Sequence, residues 1–284
     1  GIVPDGANAG IRPAGGSAME RWLRDVRLAL RRLWRDRGFS STALMTLTIC
    51  LAANAAILAI VSTVLLRPLP FPESDRVLLM YGSYPNAGAP RGDSGVTDYD
   101  DRKRELTVFE SISFFRERGM TIGREGAVER VRGIRATPSF FDLLRTPAYR
   151  GRLFRPEEGE AGADHEAILS YALWQRLYAG SDAALGQDLP INGVPHRIVG
   201  VMPRGFALPG TQAELWTPLS FTPDEHADSN RHSNNGTLIG RLKPGATLAQ
   251  AQREIAALDA RNLERFPALK QPLIDAGFHT LVVP

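Results

Sequence analysis

From Ser40 to Leu66 the chain runs without a charged residue, and the run stops at Arg67-Pro68. At about 1.5 Å of rise per residue it would make a helix of about 40 Å, longer than the roughly 30 Å hydrocarbon core of a bilayer. The expected element is one membrane span over 38–67. A different pattern precedes it: Trp22, Val26, Ala29 and Leu33 fall on one helical face, and Arg24, Arg27, Arg31 and Arg35 on another. A helix of that kind over 19–37 can lie in the inner headgroup layer, with Trp22 and Trp34 as interfacial anchors. Gly38-Phe39-Ser40 is expected to break it so that the chain can turn into the bilayer. Residues 1–18 have no apolar period and are expected to be disordered. A secretory signal peptide has a shorter apolar region and a small-residue cleavage site, so an uncleaved anchor is favoured.

Within the span, Ala52 with Ala56 and Ala55 with Ala59 recur at four-residue spacing, and Asn54 sits near mid-membrane. Small residues let helices approach closely, and a mid-membrane Asn is costly against lipid but acceptable against a polar partner. This predicts packing against other transmembrane helices. A lone anchor of modest hydrophobicity is the alternative.

Beyond Pro68 the pattern becomes mixed. Strands are expected over 76–82, 108–116, 129–136 and 167–170, and helices over 98–106, 139–144 and 171–178. Tyr84 to Gly95 reads as a Gly- and Pro-rich loop. Asn192-Gly193 between two apolar runs predicts a hairpin within 189–200. Last comes a clear strand-helix-strand unit: a strand over 237–242, a helix over 247–266 capped by Thr247, and a strand over 278–283. Residues 76–115 can be read as an equivalent unit, and the two can close into one sheet with both helices on one side, a split βαβ arrangement. The fold class is α+β: a membrane helix, then a domain over 68–284 with a βαβ lobe (68–120 and 235–284) and an inserted mixed α/β lobe (121–234).

The formal charge of the whole chain is +3, but eight arginines against four acidic residues place +4 in residues 1–37, leaving −1 for 38–284. The basicity therefore belongs to the membrane flank, and nucleic-acid binding loses its electrostatic support. Arg and Lys beside a span are retained on the cytoplasmic side, so the N-terminus should lie inside and residues 68–284 outside. Cys50 is the sole cysteine and lies in the span, which leaves no disulfide for the exported part.

No phosphate-binding loop occurs, because Lys103, Lys243 and Lys270 follow Arg, Leu and Leu. Gly92-Asp93-Ser94-Gly95 resembles a protease nucleophile tetrapeptide, but no histidine precedes it, and a flexible loop explains it better. His226 and His232, with Asp224, Glu225 and Asp228, have metal-ligand composition without metal-ligand spacing. Glu157, Glu158 and Glu160 read as a solvated charge run, and His165, His196 and His279 as isolated residues. No catalytic residue, metal or cofactor is expected.

A series of motifs carries a family resemblance: Leu65-Leu66-Arg67-Pro68-Leu69-Pro70-Phe71, Val131-Arg132-Gly133 through Ser139-Phe140-Phe141, Gly151-Arg152-Leu153-Phe154, Leu173-Trp174-Gln175-Arg176, Val199-Gly200-Val201-Met202-Pro203, and Gly240-Arg241-Leu242-Lys243-Pro244-Gly245. In this order they resemble the MacB-type ABC transporter permeases, and most the acidobacterial duplicated orphan permeases. The resemblance implies a first transmembrane helix followed by a two-lobed periplasmic core domain in a bacterial inner membrane. It also implies further spans after Pro284. The ATPase domain fused to MacB is absent from this sequence, so a separate ABC ATPase subunit is the implied partner, alongside membrane lipid and either other helices of the permease or a homodimer mate. The implied function is non-enzymatic: ATP-driven movement of the membrane helices carried to the periplasmic lobes. A signal-anchored periplasmic hydrolase using the 226–232 loop, or an anchored sensory or assembly module, are the alternatives.

Overall fold

The computed structural model describes Trp22, Arg27, Leu28 and residues 37–65, 71–124, 127–208 and 210–284. The chain divides into two compact units, 1–67 and 68–284.

In the first unit, α1 is a continuous helix over Arg37–Leu65. Residues 37–58 are long and apolar enough to cross a membrane. Gly38, Phe39 and Ser40 are helical, so the expected break does not fall there. The first turn is held by side chains: Ser41 and Thr42 hydroxyls donate to the Gly38 carbonyl at 3.0 and 2.9 Å. Thr46 and Thr48 do the same toward Thr42 O at 2.9 Å and Leu44 O at 2.7 Å. These hydroxyls spend their polarity inside the helix, the arrangement an apolar solvent demands.

The second unit is built on one sheet. Its strands are β1 (Val77–Tyr84), β2 (Ala89–Gly92), β3 (Phe109–Arg124), β4 (Ala127–Ala136), β5 (Arg150–Gly151), β6 (Glu166–Leu169), β7 (Asp188–Ile191), β8 (Val194–Val201), β9 (Leu215–Pro218), β10 (Thr237–Leu242) and β11 (His279–Val283). The order is β11-β1-β10-β3-β4-β9-β6-β8-β5, with β2 joined to β1 and β7 bridging β3 and β8. The helices are α2 (Val96–Glu105), α3 (Phe140–Leu143), α4 (Tyr171–Tyr178), α5 (Leu248–Arg265) and α6 (Pro267–Asp275).

The first four strands in that order interleave two βαβ units: β1-α2-β3 and β10-α5-β11, each straddling a strand of the other. Neighbours among these strands are antiparallel. Val96 and Tyr99 of α2 share one core with Ala251, Ile255 and Leu258 of α5, against Leu78, Met80, Phe114 and Leu238 of the sheet. Both helices therefore cover one face, the split arrangement read from the pattern. The opposite face carries a second core around Val77, Phe115, Phe140, Phe141, Trp216 and Ile239. Burial on both faces is why β1 reads Val-Leu-Leu-Met without alternation. A third core, with Met120, Ile122, Val131, Leu173, Trp174 and Ile198, lies along the far half of β3 and β4 under α4, β6 and β8.

Five elements differ from expectation. The β3 strand runs to Arg124 instead of Arg116, because β4 pairs with it residue for residue from Phe115↔Ala136 to Arg124↔Ala127. Residues within the expected 84–95 loop form β2, which pairs Gly92 with Gly82. The unassigned β5, β9 and α6 complete the set. Asn192 and Gly193 both take positive φ (51° and 81°), as a tight hairpin turn requires.

Candidate functional site

The residues that open the second unit are held by a cluster of arginines. Phe71 is buried in the core with Val77 and Phe141. Behind it, Arg241 of β10 is 1% exposed, and its guanidinium donates to three carbonyls: Leu143 O at 2.5 Å, Glu73 O at 3.1 Å and Pro72 O at 3.0 Å. A guanidinium is the one side chain with enough fixed donors to satisfy three diverging acceptors. Burial, with the charges of Arg145 and Arg76 nearby, pushes its pKa down from the ordinary value.

Around this anchor, Glu110 is shared by Arg76 and Arg145, and Glu73 by the same two and, at 3.7 Å, by Arg241. Arg145 reaches Glu73 at 2.9 Å and Glu110 at 3.0 Å. Arg76 pairs with Glu73, lies 2.7 Å from Glu110, and donates to Leu242 O at 2.6 Å. The Arg145 guanidinium holds the Glu110 carboxyl below its usual range. Glu73 and Arg145 also take positive φ (48° and 52°), uncommon for residues other than glycine. The segment 71–73 is thus tied to β3, β10 and the end of α3 by a buried cation and its surface partners.

Of the membrane-interface residues expected from sequence, Trp22 and Arg27 are helical and exposed, and Arg24, Arg31, Trp34 and Arg35 lie outside the described residues. Ala52, Asn54, Ala55 and Ala56 are exposed on α1, which also contains Ala59. Unlike the hydroxyls of α1, the Asn54 amide has no hydrogen-bond partner among the described residues.

The histidine loop separates into two sites. His226 Nδ1 lies 2.6 Å from Asp100 Oδ2, beside a cleft of about 390 Å³ that Ser139 also lines. The Ser139 hydroxyl bonds to Ser113 at 2.7 Å and not to His226, so no nucleophile-base pair forms. His232 faces inward: its Nδ1 shares a hydrogen bond with Tyr84 OH at 3.0 Å, and that hydroxyl accepts from Asn234 at 2.8 Å. Burial pushes Tyr84 up to about 12 and His232 down. Among the described residues no group of three or more acidic, His or Cys side chains is placed to hold a metal.

Two readings are corrected: the solvated run at 157–160, and the isolation of His165 and His196. Glu158 is 6% exposed, bonded to Arg152 at 2.6 Å and accepting from the Arg155 amide at 2.9 Å. His165 and His196 stack with ring centroids 5.6 Å apart.

This geometry defines an α+β domain with a structural clamp, preceded in sequence by one candidate membrane-spanning helix. Residues 40–258 match the model of the MacB-like periplasmic core domain, and the chain belongs to that family. It is therefore a periplasmic domain of the kind found in ABC-type transporter permeases, joined here to a candidate N-terminal transmembrane helix. A domain of a protein described as a permease in Porphyromonas gingivalis has the same fold, at 17% identity and TM-score 0.53, over 75% of this chain and 92% of that one. The periplasmic region of MacB from Actinobacillus actinomycetemcomitans superposes with TM-score 0.51 at 11% identity, over 72% of this chain and 88% of the other. No curated protein matches the chain.

Proposed function

We propose that this chain is a permease component of an ABC-type export or mechanotransmission system, in which a separate ATPase subunit drives the membrane helices and the periplasmic domain moves with them. The observation that carries this reading is the clamp. The segment that opens the second unit is not slack: Arg241 holds the Pro72 and Glu73 carbonyls to β10, and Phe71 is buried in the core. In this reading Asn54 and the Ala52/Ala56 and Ala55/Ala59 pairs face other helices of the permease or a second copy. The lobes at 68–120 with 235–284 and at 121–234 are the parts that shift, joined through the β3–β4 ladder. The N-terminus is cytoplasmic and residues 68–284 are periplasmic, set by the arginines of 21–37.

The test uses the full chain in membranes. An ABC ATPase subunit should co-purify with it, and a spin label at Val128, exposed on β4, should report a nucleotide-dependent distance change between copies. Failure of both would overturn the reading. Orientation is read separately: a cysteine replacing exposed Glu157 should react with an impermeant maleimide from the periplasmic side. Replacing Arg24, Arg27, Arg31 and Arg35 with Glu should reduce that labelling, and unchanged labelling would remove their topogenic role.

A further inference from the structure

The connection from β9 to β10, residues 219–236, lies as a strap across α2 and the end of β1. Its outer end is held by charge. His226 Nδ1 lies 2.6 Å from Asp100 Oδ2, and the buried Arg231 pairs with Asp101 at 2.7 Å and Asp228 at 2.8 Å, its guanidinium covering the Phe266 ring at 3.9 Å. The inner end is held mainly by neutral bonds. His232 Nδ1 shares a hydrogen bond with Tyr84 OH, Asn234 donates to the same hydroxyl, and the Asn235 and Gly236 amides both donate to Ser94 O, at 3.2 and 3.3 Å. Arg116 also reaches Asn235 Oδ1 at 3.0 Å, but it is paired with Glu225 at 2.5 Å and is not stranded when Asn235 leaves.

The two ends answer acid differently. At the outer end the bond from His226 to Asp100 becomes a salt bridge when the imidazole is charged, with Lys103, Asp142 and Glu160 as the other ionisable groups on that cleft, so acid does not break it. At the inner end His232 is enclosed by Tyr84 of β1, Asp98 and Arg102 of α2, Arg231 of the strap itself, Asp259 of α5 and the Phe278 ring. The two carboxylates and two guanidiniums oppose one another, and burial disfavours an imidazolium, so the pKa lies below the ordinary 6.5. An open strap therefore binds the proton more tightly than a closed one, and the closed form loses ground as pH falls through and below 6.5. Asp259, raised by burial, works the other way as pH nears its raised value. The inner end is also imperfectly satisfied. Ser94 Oγ and Asn234 Oδ1 are buried without a hydrogen-bond partner among the described residues, and His232 sits at φ 65°, uncommon for residues other than glycine.

We propose that the strap is an acid-sensitive latch: charging His232 lifts residues 232–236 from Tyr84 and Ser94, while His226 and Arg231 keep the outer end on α2. Opening uncovers the enclosed cavity between the strap, α2, α5 and α6, and it frees the entry to β10, the strand that carries Arg241. The latch belongs to the folded domain and depends neither on an ATPase partner nor on orientation in the membrane.

The test is hydrogen exchange read by mass spectrometry on the full chain in nanodiscs at about pH 7.5 and about pH 5, with rates corrected for the intrinsic pH dependence of exchange. Peptides carrying the Asn235 and Gly236 amides should lose protection about tenfold at the lower pH. The ceiling is about thirtyfold, for a group of ordinary pKa 6.5 that stays neutral in the closed form. Peptides from 226–231 and from the β3–β4 ladder should keep their protection. His232→Asn removes the titration, keeps a hydrogen-bonding side chain beside Tyr84 and suits the positive φ, so it should abolish the pH effect. His232→Gln is a second non-titrating replacement expected to behave alike, and His226→Asn should leave the effect in place. Near-UV circular dichroism at the higher pH checks that the variants keep the fold. Unchanged protection in the wild-type chain would overturn the proposal. So would equal loss in the β3–β4 ladder, which means global loss of stability, and equal loss at 226–231, which means that the strap lifts whole. Acid opening that persists in folded His232 variants would put the proton on another group and overturn it as well.

Discussion

Arg241 is the residue whose loss should be felt most. Its buried guanidinium bonds three carbonyls, of which Glu73 O also accepts from the Arg76 amide, and a buried acceptor left unsatisfied costs about 1–3 kcal/mol. Arg241→Met should lower unfolding free energy by about 2 kcal/mol in urea titration, chiefly through the buried Leu143 carbonyl. Arg145→Met removes more ion pairs by count but only exposed ones, so its effect should be much the smaller of the two. If the two variants are equally stable, the clamp is not what holds 71–73. His232 gives a pH signature. Asp98, Arg231 and Asp259 line its pocket, Arg102 lies within its electrostatic reach, and Tyr84 and Phe278 flank it. Burial lowers its folded pKa below 6.5, so the unfolded chain takes up more protons as pH falls through and below that value, and stability is lost there. Asp259, raised by burial, acts oppositely: it favours the folded form as pH falls toward its raised pKa. The expected outcome is a melting temperature that falls between about pH 7 and 5, with His232→Asn flattening that slope. The sequence shows His232 and Glu158 as polar residues among polar residues. Their burial depends on Tyr84 and Arg152, which are brought to them only by the folded chain.

At the scale of elements, reading was best where one local signal decided the outcome. Thr247 caps α5 as predicted: its hydroxyl accepts from the Gln250 amide at 3.3 Å while Gln250 Oε1 accepts from the Thr247 amide at 2.8 Å. Thr247→Ala should cost about 1 kcal/mol, measured as a shift in the urea midpoint without a change in slope. The full reach of β3 was hidden because its outer half, Arg-Glu-Arg-Gly-Met-Thr-Ile-Gly, alternates weakly and is fixed by pairing with β4. Likewise α6 carries Pro267 at its first turn and Pro272 inside it, a composition that argues for a loop until Leu273 is buried by packing. On α1, Asn54 is the described amide without a partner. Asn54→Leu should reduce disulfide trapping between copies carrying cysteine at Ala55, compared in native membranes; undiminished trapping would remove Asn54 from the helix contact.

For the whole molecule, the interleaved βαβ units were legible as two periodic units. The continuity of one sheet through β4, β9, β6 and β8 was not, because β4–β9 and β6–β8 are parallel pairings between distant segments with no turn to announce them. The candidate site was legible only in part: Gly-Arg-Leu at 240–242 served as a family motif, and nothing in it said that the arginine would be buried. A fragment beginning at Phe71 should fold and melt cooperatively. One beginning at Val77 lacks both Phe71 in the core and two of the three carbonyls that Arg241 binds, and should melt several degrees lower by calorimetry. Equal melting would mean that 71–76 is decoration.

The placing of β1 gives the clamp a mechanical meaning. Leading directly from the clamp, β1 is hydrogen-bonded on one edge to β10 from Val77 to Met80 and on the other to β11 from Leu79 to Ser83. A pull along this strand loads both ladders in shear, so their hydrogen bonds resist together instead of parting one by one as they would in unzipping. The strand behaves as a tie-rod gripped from both sides, which would move the sheet as a block before it yielded.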